Sequence, residues 1–116
     1  MRDLCKNMPI NKEEKQLLRE YLAEHRLMSI ATCGEHPWIA SVYYVADDDL
    51  NLYFLSSPER IHSKQIFENN KVACAIADST QKASAKKIGV QLYGQATEEK
   101  GLKTIEWMLK MYNKLY

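Results

Sequence analysis

Glycine and proline are scarce in this chain, four and three among 116 residues. Low-complexity, collagen-like and linker segments, which draw on runs of those residues, are therefore excluded. Cysteine is equally sparse. Cys5, Cys33 and Cys74 are odd in number and widely spaced, which excludes a disulfide framework and suits a reducing compartment. Sixteen Lys and Arg against fifteen Asp and Glu leave a net charge of +1. A protein held mainly by nucleic-acid phosphates needs a clustered basic excess, and only Lys82, Lys86 and Lys87 come near one. The longest apolar run, Val72 to Ala77, is far short of the roughly 18 residues that a membrane span requires. The polar opening, Met1 to Lys15, contains no signal-peptide core. The expectation is one domain over residues 1–116 in the cytoplasm, with no nucleic-acid or membrane partner.

What is present reads as alternating helices and strands. Asn11-Lys12-Glu13-Glu14 is a helix start with a cap and a Glu three residues on. Leu17, Leu18, Tyr21 and Leu22 then recur at helical spacing as far as His25. Leu27 to Thr32 reads as a strand, and Cys33-Gly34-Glu35-His36 as a hairpin in which Gly34 takes a positive φ cheaply. Pro37 to Ala46 is β-branched and aromatic, so it reads as a second strand. Asp47-Asp48-Asp49 turns the chain into a third, Leu50 to Ser56. Ile61, Ile66 and Phe67 mark a short helix with Ser63 as its cap, ended by Asn69-Asn70. Lys71 to Ala77 reads as a fully buried strand and Lys86 to Thr97 as a long alternating one, the glycines at 89 and 94 marking bends or a close ligand. A last helix runs from about Glu98, with Leu102, Ile105, Leu109, Tyr112 and Tyr116 inward. This is an α+β chain, mainly antiparallel, and closure into a small barrel would remove its exposed sheet edges.

Candidate chemistry is unevenly distributed. The three aspartates are a solvated turn before they are a cation site, since no EF-hand alternation follows them. Cys33 and His36 are half of a zinc site with no second half, so no metal is expected, and no residue pair announces a catalytic acid and base. The segment Ser56-Ser57-Pro58-Glu59-Arg60-Ile61-His62-Ser63-Lys64 is richer. It leaves a strand, passes hydroxyls and cations, and opens a helix. Free amides at a helix start with hydroxyl donors and two cations make a cup for a phosphate dianion. The same residues also read as an ordinary helix start with surface charges.

One family joins these pieces. The strand Ser41-Val42-Tyr43-Tyr44-Val45, the acidic turn, the strand Leu52-Tyr53-Phe54-Leu55-Ser56-Ser57, then Lys64, Asn69-Asn70-Lys71-Val72 and Gly89-Val90-Gln91-Leu92-Tyr93-Gly94 resemble the pyridoxamine 5'-phosphate oxidase-like FMN-binding split barrels. The chain looks closest to their small bacterial, general-stress or uncharacterised branch. The likeness covers about Leu27 to Thr97 and rests on order and spacing rather than on one motif. It implies a split β-barrel with flanking helices and bound FMN. It further implies a homodimer with the cofactor at the subunit interface, and an oxidoreductase passing electrons from a nicotinamide donor to a small molecule. The alternative is a non-catalytic dimer that binds flavin or another ligand. By position, Ser56, Ser57, Arg60, Ser63 and Lys64 would hold the phosphate, Val42, Tyr43 and Tyr44 would lie along the ring, and Gln91 would reach the ring or ribityl chain. Tyr43 and Tyr44 point to opposite faces of their strand, so only one of them lines a flavin. Two departures stand out. The chain stops at Tyr116, where family members usually add another strand, and Gly89 replaces a larger polar residue.

Overall fold

The computed structural model describes residues 10–78, 80–84 and 88–116. Cys5, Lys86 and Lys87, which entered the sequence reading, lie outside them. Asn11 caps helix α1 (Lys12–Glu24): its Oδ1 accepts the Glu14 amide at 2.7 Å and its Nδ2 donates to the Glu14 carboxylate at 3.2 Å. The apolar side of α1 seats Leu22 in the core. Strands β1 (Leu27–Thr32) and β2 (Trp38–Tyr43) follow, then the two-residue strands β3 (Val45–Ala46) and β4 (Leu52–Tyr53), helix α2 (Ile61–Glu68), β5 (Lys71–Ala77), β6 (Gly89–Gln95) and helix α3 (Leu102–Leu115). No helix among the described residues is long and apolar enough to cross a membrane.

Four strands form one antiparallel sheet in the order β2-β1-β5-β6, while β3 and β4 pair separately. Among the described residues no strand pairing joins the two sheets, so they do not close on one another there. The hinge between them is Tyr44. Its amide donates to the Arg26 carbonyl at 3.0 Å and its hydroxyl to the Leu22 carbonyl at 2.8 Å, with the ring buried between. What reads in sequence as one strand from Pro37 to Ala46 therefore splits in two.

The third expected strand shortens from Leu50–Ser56 to Leu52–Tyr53 for a local reason. Leu50 adopts φ 67°, a left-handed conformation that bends the chain. The Asp47 carboxylate organises the turn by accepting the amides of Asp49 and Asn51, the Asn51 side-chain amide and the Tyr53 hydroxyl, all within 2.9–3.1 Å. Beyond Tyr53 the chain leaves the sheet toward Ser56-Ser57-Pro58. Helix α3 begins at Leu102 rather than near Glu98. Gly34 has no positive φ. What its missing side chain permits is close approach by Gln65, whose amide nitrogen would lie 2.8 Å from a Cβ there.

The sheet has two unlike faces. Ala40, Ile30, Cys74 and Leu92 form one cross-strand row on the inner face, packed with Val42, Met28, Val72 and Ile76 against Leu22, Tyr44 and Leu52. On the outer face the rows are Ile39, Ala31, Ala73, Tyr93 and Ser41, Ser29, Ala75, Gln91. Ile39 and Tyr93 there are 67% and 70% exposed, although strand residues of this kind favour a covered surface. Gln65 ties α2 to the β1–β2 hairpin, accepting from the Thr32 hydroxyl at 2.7 Å and donating to the His36 carbonyl at 3.0 Å.

Candidate functional site

A cleft of about 610 Å³ runs along the free edge of β2, within the range of about 300–1,000 Å³ that holds small ligands. Strand β2 lines one wall with Trp38 through Tyr43, the segment Leu55–Ser57 with Arg60, Ile61 and His62 lines the other, and Tyr112 enters from α3. Because β2 is the last strand of its sheet, residues from both of its faces reach the cleft. Trp38 and Val42 come from the inner side, Ile39, Ser41 and Tyr43 from the outer.

The polar end is built by the start of α2. Arg60 stands at the N-cap and places no side-chain acceptor on the first amides of the helix, which leaves that end suited to an anion. The Arg60 amide donates to the Ser57 carbonyl at 3.2 Å and closes a tight turn. The Ser57 hydroxyl donates to the Glu59 carboxylate, and this bond holds Glu59 below the usual carboxylate range. The cap expected at Ser63 is corrected: Ser63 sits in the first turn, buried, and donates to Ser56 Oγ at 3.0 Å. Ser56 Oγ in turn lies 2.6 Å from His62 Nε2. Burial, reinforced by the Arg60 charge, pulls the His62 imidazole below its ordinary pKa and favours the neutral ring.

The structure brings together five of the nine residues expected from sequence, Val42, Tyr43, Ser56, Ser57 and Arg60, on one cleft. Ser63 is linked to that cleft through Ser56. The other three fall elsewhere. Tyr44 is a core residue at 1% exposure, its hydroxyl fixed on Leu22 and its ionisation pushed up chiefly by burial. Lys64 is exposed on α2, one turn beyond Arg60 and off the cleft lining. Gln91 lies on the outer sheet face among Ser29, Ala75 and Tyr93. Sequence reasoning missed Trp38, Ser41, His62 and Tyr112 as lining residues. Tyr112 was hidden by the helical stripe that assigns it to the core, whereas in space its ring packs at a tilt against Tyr116, which packs at a tilt against Tyr43.

The family model described as Pyridoxamine 5'-phosphate oxidase matches residues 14–115. No curated protein matches the sequence. Among solved structures, HutZ, the haem storage protein from Vibrio cholerae, superposes with a TM-score of 0.73 at 12% identity, covering 87% of this chain and 74% of its own. The protein Atu2129 from Agrobacterium tumefaciens, of unknown function, superposes with a TM-score of 0.71 at 15% identity over 90% of this chain. The chain spans about half, 47%, of the length of that protein. At such identities these likenesses concern the fold alone.

Proposed function

The chain belongs to the pyridoxamine 5'-phosphate oxidase family, and from that premise we propose that it is an FMN-binding flavoprotein. Its proposed activity is that of an oxidoreductase reducing a small molecule with electrons from a nicotinamide donor. The observation that carries the reading is the cleft itself, with aromatic side chains along a free strand edge and hydroxyls, a guanidinium and a helix start at one end. That division matches a molecule with a planar ring and a terminal phosphate.

In this reading Ser57, Arg60 and the first amides of α2 hold the phosphate, with Lys64 adding charge from the next turn. Val42 and Tyr43 flank the ring, together with Trp38 and Tyr112. Bound flavin supplies hydride and single-electron chemistry, so the protein needs no dedicated acid and base pair. The chain's own residues position the ring, exclude water with Trp38, Tyr43 and Tyr112, and neutralise the phosphate. Replacing Arg60 with Ala separates the parts of the reading. FMN affinity should fall tenfold or more, while riboflavin, which lacks the phosphate, should bind both proteins alike.

We also propose a homodimer formed on the outer sheet face, in keeping with the small Ala31, Ala73, Ala75 and Ser29 side chains between the exposed Ile39 and Tyr93. Ile39 borders both that face and the cleft, so a partner seated there would lie beside the ligand, and Gln91 would belong to the interface. A second reading, a non-catalytic haem binder, draws on the likeness to HutZ. At the β2 cleft it is disfavoured by the histidine that lines it, since His62 Nε2 is engaged by Ser56.

A further inference from the structure

We propose that His62 couples proton uptake to anion binding in the β2 cleft, its protonation releasing the Ser56 hydroxyl to donate to a phosphate monoester. The inference rests on the FMN reading for its ligand, but its argument is local. Ser56 Oγ has one proton and is held between two neighbours, accepting from Ser63 at 3.0 Å and lying 2.6 Å from His62 Nε2. We assign the neutral ring its Nδ1–H tautomer, in which, with Ser63 donating, the bare Nε2 is satisfied only by the Ser56 proton. Ser56 then turns a lone pair toward the cleft, which repels an anion. When the imidazole is protonated the bond reverses: Nε2–H donates to Ser56 Oγ, and the hydroxyl proton is free to point at the ligand. The same step adds a positive charge at the wall of the cleft.

The surroundings make this a switch rather than a permanent charge. His62 is 7% exposed, Ser63 is 9%, and the Phe54 ring packs against the imidazole at 6.4 Å. On its own segment the Arg60 guanidinium disfavours a second cation at His62, and the carboxylate of Glu59, three residues before it, is occupied by Ser57. From α2 itself Lys64 stands two residues on. From β2 and α3 the titratable groups on the same cleft are Tyr43 and Tyr112. An empty cleft therefore keeps His62 neutral. A bound dianion offsets the Arg60 charge and reverses the balance, so binding draws a proton onto His62.

The test is an FMN titration from pH 5.5 to 8 for the wild type and for His62→Gln, in which the side-chain amide makes a permanent donor for Ser56. The phosphate's own second ionisation, near pH 6, contributes equally to both proteins. Wild-type affinity should weaken relative to the variant as pH rises, by up to about tenfold per pH unit between the free and bound pKa of His62, and riboflavin should show no such divergence. The imidazole signal of His62, followed by NMR, should titrate at higher pH with FMN bound. Parallel pH profiles for the two proteins, or a His62 titration unmoved by FMN, would overturn the coupling. If FMN bound at no pH, the flavin reading would fail instead. The His62 titration with inorganic phosphate, against chloride at equal ionic strength, then decides the coupling alone, an upward move supporting it and no move overturning it.

Discussion

Arg60 and His62 occupy neighbouring positions with opposite duties. Arg60 is exposed and, in the proposed reading, offers the phosphate a planar fork. Its removal should cost FMN binding about 1.5–3 kcal/mol, the range for hydrogen bonds to charged groups, measurable as the tenfold or larger loss given above. His62 is buried and neutral, and that has a consequence for the protein without ligand. Its folded pKa lies below its unfolded one, so the unfolded chain binds the proton more readily. Stability is therefore full above pH 6.5 and is lost as pH falls through that value toward the folded pKa. Urea midpoints between pH 5 and 7.5 should drop on acidification in the wild type and drop less in His62→Gln. Equal slopes would remove His62 from the account. Tyr44 makes a contrasting case. Replacing it with Phe leaves the buried Leu22 carbonyl without its 2.8 Å donor, which should cost stability about 1–3 kcal/mol and leave FMN affinity unchanged.

At the scale of elements, what could be read from sequence was what local chemistry decides. The Asn11 cap and the helix over Leu17 to Leu22 each follow from neighbours in the chain, and each stands in the structure where the pattern put it. Lys71 to Ala77 is a strand as its composition announces, but it is alternately exposed and buried rather than fully buried, because only its inner face is covered. The misses came from side-chain contacts that residue type alone does not announce. Ser63 has the residue type of a cap, yet its hydroxyl donates to Ser56 in the loop before the helix, and Arg60 takes the cap position. Pro37 to Ala46 has uninterrupted β propensity, but Tyr44 is pulled inward by the carbonyls of Arg26 and Leu22 and breaks the strand. Leu50 carries no turn signature, and its left-handed backbone is held by the Asp47 carboxylate. Asp47→Ala should therefore destabilise the β3–β4 ribbon by about 1–3 kcal/mol, the cost of leaving such donors unmet, visible as a shifted urea midpoint. An unchanged midpoint would mean that the turn is held by something other than this carboxylate. The site was legible to the extent that its residues are close in sequence. Ser56, Ser57 and Arg60 share one loop, whereas Tyr112 reaches the same cleft from 52 positions beyond Arg60 and no local pattern signals it.

For the whole molecule, the outer sheet face and the cleft are one continuous surface through Ile39. The exposed Ile39 and Tyr93 with alanines between them make an apolar patch of the kind that marks an interaction site. If two copies meet there, a long charged side chain at its centre should prevent them. Ala75→Arg, opposite Ser29 and Gln91 in register, should sediment as a monomer where the wild type sediments as a dimer, with FMN affinity reduced because the cleft loses its neighbour. A wild type that is monomeric at every concentration would rule out the dimer and leave the cleft to a single chain. Whether the β2 cleft holds FMN is read most directly from the visible spectrum of the purified protein after incubation with FMN and desalting. Two flavin bands should stay with the protein and be lost from Arg60→Ala under the same treatment. A spectrum with no flavin at saturating FMN, or bands equally retained by Arg60→Ala, would contradict the FMN reading.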